Sequence, residues 1–264
     1  MLSIFLGLFR RPLIRRYSSN FFLHRAFSMD VIISEPTPSK IQVLPHNQYQ
    51  TSDSLTPSTV SSSPLDQFHI WFKQVVEDGV VHEPEAISLS TATPSGIPSA
   101  RMVLFKQLDE RGFIFYTNYT SRKSHELESN PYAAIVFYWR EVHKSVRVIG
   151  KVEKVSREES ERYFRTRPKG SQLGAWASRQ SQVVKEGEVM ERLKKLEKRF
   201  APDDASGEAS NIPMPEFWGG WRIIPTEVEF WCGKPSRLHD RICYRLEEGS
   251  TAETPKWKIE CLAP

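Results

Sequence analysis

Around its last tryptophan but one, the chain reads Trp231-Cys232-Gly233-Lys234-Pro235-Ser236-Arg237-Leu238-His239-Asp240-Arg241. Arg237, His239 and Arg241 fall at alternate positions, and alternate residues of an extended strand share a face. Two guanidiniums and an imidazole on one wall would grip a planar ligand carrying negative charge. Trp231 adds a large flat surface, and Gly233 and Pro235 supply a turn just before the strand. The same alternation also suits the solvated face of an edge strand.

Three further groups point to anions. Thr120-Ser121-Arg122-Lys123 opens a short helix that ends near Asn130-Pro131, where free backbone N–H groups, a hydroxyl and two cations converge as they do at phosphate sites. A plain N-cap with solvated basic neighbours has the same spelling. Tyr163 and Arg167, four apart, share a helix face, and Ser171 follows the break at Pro168; a phenol, a guanidinium and a hydroxyl suit a second phosphate. Arg101 and Lys106 bracket the apolar run Met102-Val103-Leu104-Phe105, and their separation of five puts them on opposite faces of a regular strand. Serving one cavity would require a bulge, a strand end or two adjacent ligands.

The elements that must carry these residues are legible in outline. Ser63 as N-cap, Pro64 at the first helical position and Asp66 in the first turn announce a helix with Phe68, Trp71, Phe72, Val75 and Val76 as its buried stripe, ended by Gly79. Strand-like runs follow at 86–93, 99–107, 113–118, 133–140 and 145–155. Pro94-Ser95-Gly96 and Asp109-Glu110-Arg111-Gly112 make the first three antiparallel neighbours. Gly150 inside a strand marks a bulge. Helices are predicted at 157–166 and about 186–200, the latter with Val189, Leu193, Leu196 and Phe200 as a core stripe. A loop at 202–216 reads as mobile, and strands resume at 220–231, 242–246 and 257–262. A mainly β, antiparallel small barrel with flanking helices is expected, and not a doubly wound α/β sheet.

Composition narrows the function classes. The net charge of +4 is matched by residues 1–30, which hold five arginines and one aspartate, so the rest of the 264-residue chain is neutral and has no surplus for a nucleic-acid backbone. Residues 1–28, rich in Leu, Phe, Ser and Arg, have the composition of a mitochondrial presequence, and Met29 offers a second start for a cytosolic form. The apolar run 2–9 is too short to span a bilayer, so no membrane association is expected. Residues 29–63, dense in Ser, Thr and Pro, read as a flexible arm, and a single domain fills 64–264. The three cysteines form no Cys-x-x-Cys pair, and His69, His125 and His143 lack partners at ligand spacing, so no metal is implied and these histidines read as ordinary surface or packing residues. No Gly-x-Gly-x-x-Gly, Walker loop or Gly-x-Ser-x-Gly elbow is present.

Taken in order, Ser-Ala-Arg-Met-Val-Leu-Phe-Lys (99–106), Tyr-Thr-Asn (116–118), Ser-Arg-Lys (121–123), Arg-Pro-Lys-Gly-Ser-Gln (167–172), Ser-Arg-Gln-Ser (178–181), Phe-Trp-Gly-Gly (217–220), Arg-Leu-His-Asp-Arg (237–241) and a closing Leu-Ala-Pro resemble the pyridoxamine 5′-phosphate oxidases. The resemblance spans about 64–264. It implies a homodimeric FMN-binding split β-barrel of Greek-key type, with the flavin at the subunit interface, that oxidises pyridoxamine or pyridoxine 5′-phosphate with oxygen. Flavin contacts carry over to Arg101, Met102, Val103, Leu104, Tyr116, Thr117, Arg122, Lys123, Gln180, Trp231 and Arg241. Substrate-phosphate contacts carry over to Lys106, Tyr163, Arg167 and Ser171, and contacts to the substrate ring and reacting carbon to Arg237, Leu238 and His239, with Arg237 and His239 in the catalytic role. Two positions depart from the pattern: Ser145 stands where a flavin-contacting Gln is usual, and Cys261 where an Arg precedes Leu-Ala-Pro. Rival readings are a nicotinamide-dependent flavin reductase on the same barrel and a non-catalytic carrier of FMN or pyridoxal phosphate.

Overall fold

In the computed structural model, residues 33–37, 40–43, 48–49, 51, 53–201, 212–251 and 254–264 are described. The presequence, most of the 202–216 loop and parts of the arm lie outside them. Inside the arm, β1 (Ile33–Thr37) and β2 (Lys40–Val43) pair as an antiparallel ladder of their own.

The first helix begins where the sequence places it. Helix α1 (Pro64–Asp78) has Ser63 as N-cap, its hydroxyl accepting from Asp66 N–H, and ends on Gly79 in the left-handed conformation at φ 64°. Strands β3 (Ala86–Ala92), β4 (Pro98–Leu108) and β5 (Phe113–Asn118) form a meander, and after helix α2 (Arg122–Ser129) strand β6 (Tyr132–Trp139) returns beside β3. That spatial order, 6-3-4-5, is a Greek key. Strand β7 (Lys144–Lys154) pairs with β6 and with β8 (Trp218–Cys232), whose first half also pairs with β5, closing a six-stranded barrel. The second half of β8 pairs instead with β9 (Asp240–Leu246), which carries β10 (Trp257–Cys261).

Strand β8 changes partners at a bulge. Ile149 faces Glu227 but Gly150 faces Pro225, so Thr226 is the extra residue. A Cβ on Gly150 would lie 2.1 Å from the Ile224 carbonyl oxygen, so only glycine allows the strands to approach there. The bulge expected at Gly150 is therefore carried by the opposite strand, with Gly150 facing it, and it lies where the barrel splits.

The barrel core is aromatic. Phe68 of α1 stands 4.9 Å from Phe113 and 4.7 Å from Phe137 between ring centroids, and Trp71 and Val75 are buried beside it. Val76, expected in the same stripe, is 51% exposed, because the stripe is only wide enough for the i, i+3, i+7 residues. A second cluster unites α3 (Arg157–Thr166), α4 (Lys169–Ala177) and the approach to β8 through Phe164, Leu173, Ile212, Met214 and Trp218. Helix α4 was not foreseen. Helix α5 (Glu188–Arg199) buries none of its residues fully; Leu193, Leu196 and Phe200 rest half-buried on the rim of that cluster, so the expected core stripe is a rim contact.

Candidate active site

Sequence reading expects Arg101 and Lys106 on opposite faces, yet both line one cleft of about 1080 Å³. The cause is a bulge: Phe105 pairs with Phe115 but Gln107 pairs with Ile114, which turns Lys106 out of alternation. Met102, Val103 and Leu104 of the same strand, Tyr116 and Thr117 of β5, and Arg122 and Lys123 of α2 line the same cleft. So do Gln180, Tyr163 of α3, Arg167 in the extended backbone that caps α3, and Ser171 of α4. The foreseen cofactor residues apart from Trp231 and Arg241, and the foreseen phosphate group, are thus brought together.

Charge in the cleft is fixed from behind. Glu126 of α2 is buried and accepts from Thr91, from Ser99 at 2.6 Å and from Arg122 Nε at 2.8 Å. Burial alone would raise its pKa, but the hydrogen bonds from Ser99, Thr91 and Arg122 outweigh it and bring the carboxyl down to about 2. Arg101 is held by the Leu89 carbonyl at 3.2 Å, Thr91 at 2.6 Å and Glu126 at 3.4 Å. The Lys123 ammonium donates to Gln180 Oε1 at 2.7 Å, Thr117 Oγ1 at 3.2 Å and Ser121 Oγ at 3.3 Å. Among the described residues no carboxylate pairs with it, and burial together with the Arg101 charge pulls its pKa down to about 8.

At the other end of the cleft Tyr116, Tyr163 and Trp218 form a near-parallel stack, with Tyr116 and Tyr163 4.0 Å apart and Tyr163 tilted only 8° from Trp218. The Arg167 guanidinium lies 4.8 Å over Trp218. Its Nη1 is buried and has no hydrogen-bond partner among the described residues. A buried guanidinium nitrogen left without an acceptor is costly, and an anionic oxygen entering the cleft would satisfy it.

Trp231, Arg241, Arg237, Leu238 and His239 lie elsewhere. Trp231 and Arg241 line a separate hollow of about 440 Å³ with Tyr49, Ser145, Arg147 and Glu229. Arg237 and His239 are not on a strand with Arg241, as the alternation suggested. Pro235–Arg237 form a 3-10 turn, His239 follows in irregular chain, and β9 begins only at Asp240. Pro235 breaks the ladder because it has no N–H, and Ser236 and Arg237 adopt left-handed φ of 57° and 62°. His239 still meets Trp231, ring centroids 4.6 Å apart.

Sequence reasoning passed over two participants, Glu229 and Glu126. Tyr49 packs edge-on against Trp231, His239 and His143 at 5.4, 5.5 and 5.1 Å, so His143 is a packing residue here. Glu229 receives Arg241 Nε at 2.7 Å and Arg147 Nη2 at 2.6 Å. Glu126 gave no signal, because nothing in the spelling of α2 separates an inward carboxylate from a solvated one. Among the described residues no metal-holding cluster of His, Cys, Asp or Glu forms, and no helix is long and apolar enough to cross a membrane.

Comparison with known proteins bears on this arrangement. A family model described as pyridoxamine 5′-phosphate oxidase matches residues 74–196, and one described as the pyridoxine 5′-phosphate oxidase C-terminal dimerisation region matches 218–264. The chain is 47% identical to the pyridoxamine 5′-phosphate oxidase of Saccharomyces cerevisiae over 88% of its own length and 98% of that protein's. It is 47% identical to the pyridoxine/pyridoxamine 5′-phosphate oxidase of Gloeothece citriformis, covering 81% of this chain and 94% of the relative. Among solved structures, PhzG of Burkholderia lata, in complex with tetrahydrophenazine-1-carboxylic acid, superposes with a TM-score of 0.70 at 29% identity over 80% of this chain and 98% of that one. An FMN-binding protein of Nostoc punctiforme shares the fold, with a TM-score of 0.57 at 16% identity over 80% of this chain and 99% of that one.

Proposed function

Because this chain belongs to the pyridoxamine 5′-phosphate oxidase family, we infer that it oxidises pyridoxamine or pyridoxine 5′-phosphate to pyridoxal 5′-phosphate. Oxygen is the final acceptor and leaves as hydrogen peroxide. From the amine, water releases ammonia as the aldehyde forms. Bound FMN would supply the acceptor for the hydride leaving the substrate carbon and the route for its electrons to oxygen.

The observation that carries this reading is one cleft with two separate cationic ends. Among the described residues, Lys123 at one end is buried without a carboxylate partner, and Arg167 Nη1 at the other is buried without an acceptor. A flavin phosphate held by Arg101, Arg122 and Lys123 fits the first. A substrate phosphate held by Lys106, Tyr163, Arg167 and Ser171 fits the second, with each charge-assisted contact contributing roughly 1.5 to 3 kcal/mol. Tyr116 and Thr117 would line the flavin between them, with Gln180 fixed on Lys123.

The split between cleft and hollow supports a homodimer. Met102 and Leu104, at the mouth of the cleft, are 65% and 44% exposed, and Tyr138 on the far side of β3 is 51% exposed. A second copy covering this apolar ground would carry its Trp231, Arg241, Arg237 and His239 to the cleft of the first. In that assembly Arg237 and His239 hold the polar edge of the substrate so that its reacting carbon faces the flavin. The leader supports import into mitochondria, with a form starting at Met29 staying in the cytosol; reporter fusions starting at Met1 and at Met29 test it by where each accumulates.

The direct test is the visible spectrum of the purified protein with FMN, before and after anaerobic addition of pyridoxamine 5′-phosphate. Bleaching that reverses on admitting air is expected. A flavin spectrum that the substrate leaves unchanged would reject the oxidase reading.

A further inference from the structure

Lys144 opens β7 with its side chain only 6% exposed, and a buried ammonium needs a counter-charge. Asp53 supplies it, with Oδ2 at 2.7 Å from Nζ. The Asp53 carbonyl also accepts from Lys234 Nζ, which faces Asp240 Oδ2 at 3.5 Å. Two residues on, Leu55 N–H donates to Asp240 Oδ2 at 3.0 Å. Residues 53–55 are thereby fastened to both ends of the turn that carries Arg237, Leu238 and His239. At the same turn Gly233 N–H donates to the His143 carbonyl at 2.8 Å.

Within this turn the Lys234 backbone N–H donates to His239 Nδ1 at 3.0 Å. A backbone N–H can only donate, so Nδ1 must present its lone pair, and a neutral imidazole then carries its proton on Nε2. Protonating Nδ1 as well would set two donors face to face. The charged groups nearby act in the same direction. Burial, Arg237 and Arg241 lower the pKa of the ring, while the Asp240 carboxylate is already engaged by Leu55 and Lys234. Tyr49 and Trp231 pack against the ring itself.

We propose that Lys234, held in place by Asp53 and Asp240, is a positioning residue that fixes His239 as its Nε2–H tautomer, so that His239 meets the substrate as a neutral hydrogen-bond donor and not as a base. Its matching partner is an acceptor oxygen on the substrate's aromatic ring. The inference rests on the placement of His239 at the substrate under the proposed function.

The test uses the full-length protein with FMN bound, its seven histidines labelled with 15N. His239→Asn identifies the His239 signals by their loss. A pyridine-like shift at Nδ1 and a pyrrole-like shift at Nε2, with and without pyridoxal 5′-phosphate, are expected; the opposite tautomer, or a rapidly exchanging mixture, overturns the proposal. In parallel, Asp53→Asn should raise KM for pyridoxamine 5′-phosphate about five- to tenfold, the size of one lost hydrogen bond, with kcat within about twofold and FMN still bound. It should also mix the His239 tautomers, whereas Lys144→Arg should keep the wild-type KM. An Asp53→Asn protein with wild-type KM and an unmixed tautomer, altered only in Tm, makes Asp53 structural and overturns its role. Wild-type kcat and KM in His239→Asn would instead sink the placement of His239 at the substrate, and with it the donor role, whatever the tautomer.

Discussion

Lys123 and Arg237 are both cations assigned to bound ligands, yet the chain treats them in opposite ways. Lys123 sits in the first turn of α2, 5% exposed, with three neutral oxygens around its ammonium. Arg237 sits on an irregular turn, exposed, in a left-handed conformation that costs a non-glycine residue roughly 1 to 2 kcal/mol. Ser236 before it bears the same cost. The phosphate end is thus organised in advance by burial on regular elements, and the reacting end depends on contacts from other segments to hold a strained turn. Losing a group at the two ends should therefore fail differently, one in cofactor affinity and one in turnover.

The largest effect is expected at the turn. Arg237→Ala or His239→Ala should lower kcat/KM by about 10²- to 10³-fold while the flavin spectrum of the purified protein stays that of the wild type, as expected for groups that orient substrate. Steady-state kinetics beside a flavin titration checks this. Full turnover with FMN bound would erase the distinction between the two ends.

At the cleft, Lys123→Met should weaken FMN binding by about 10- to 100-fold, the loss of one charge-assisted contact, and leave turnover of the FMN-saturated enzyme within a few-fold. The same residue sets a pH dependence. Its pKa without ligand lies near 8, below the ordinary 10.5, so the ammonium is present at neutral pH and is lost as pH rises through 8. FMN affinity should be level up to about pH 8 and then fall by as much as tenfold per pH unit; Lys123→Arg should remove that fall. For the ligand-free protein the sign reverses. Between about 8 and 10.5 the unfolded chain binds the proton that the fold excludes, so this group makes stability rise with pH across that window. Fluorescence titration of FMN and thermal melts across pH 7 to 10 separate the two, and a flat affinity profile would contradict the buried, unpaired ammonium.

The two ends also differed in how far the sequence disclosed them. The cleft was legible because most of its residues ride on elements whose local signals are strong: the N-cap at Ser121, the helix that carries Tyr163, and alternation along β4; Arg167 reaches the cleft from the extended C-cap of that helix and not from its face. Only the Lys106 bulge had to be left open, since a one-residue slip depends on the partner strand β5. The turn was misread because strand alternation and chance spacing look alike over five residues, and Pro235 was weighed as a lead-in to a strand when it begins a 3-10 turn. Its supports Asp53 and Lys144 lie far away in sequence, and Lys144 is brought beside it by the pairing of β7 with β8. Helix α4 escaped for a local reason: its residues include Gly170 and Gly174, and it follows Pro168 directly.

The smallest change concerns Ser145, which stands where the sequence resemblance implies a flavin-contacting glutamine. Ser145 pairs with Trp231 across β7 and β8 and lines the hollow that holds Arg241. Two residues along the same face, Arg147 is engaged with Glu227 and Glu229, so its guanidinium is not free to reach forward in place of an amide. Ser145→Gln replaces the hydroxyl by one methylene and a carboxamide on a half-buried strand face that lines the hollow, which the barrel can accept without moving its core. One regained hydrogen bond to the flavin should tighten FMN binding about two- to tenfold, with little change in KM for the substrate phosphate at the far end of the cleft. Unchanged FMN affinity would mean that the hollow does not meet the flavin, and the proposed union of cleft and hollow across two copies would lose its support at this residue.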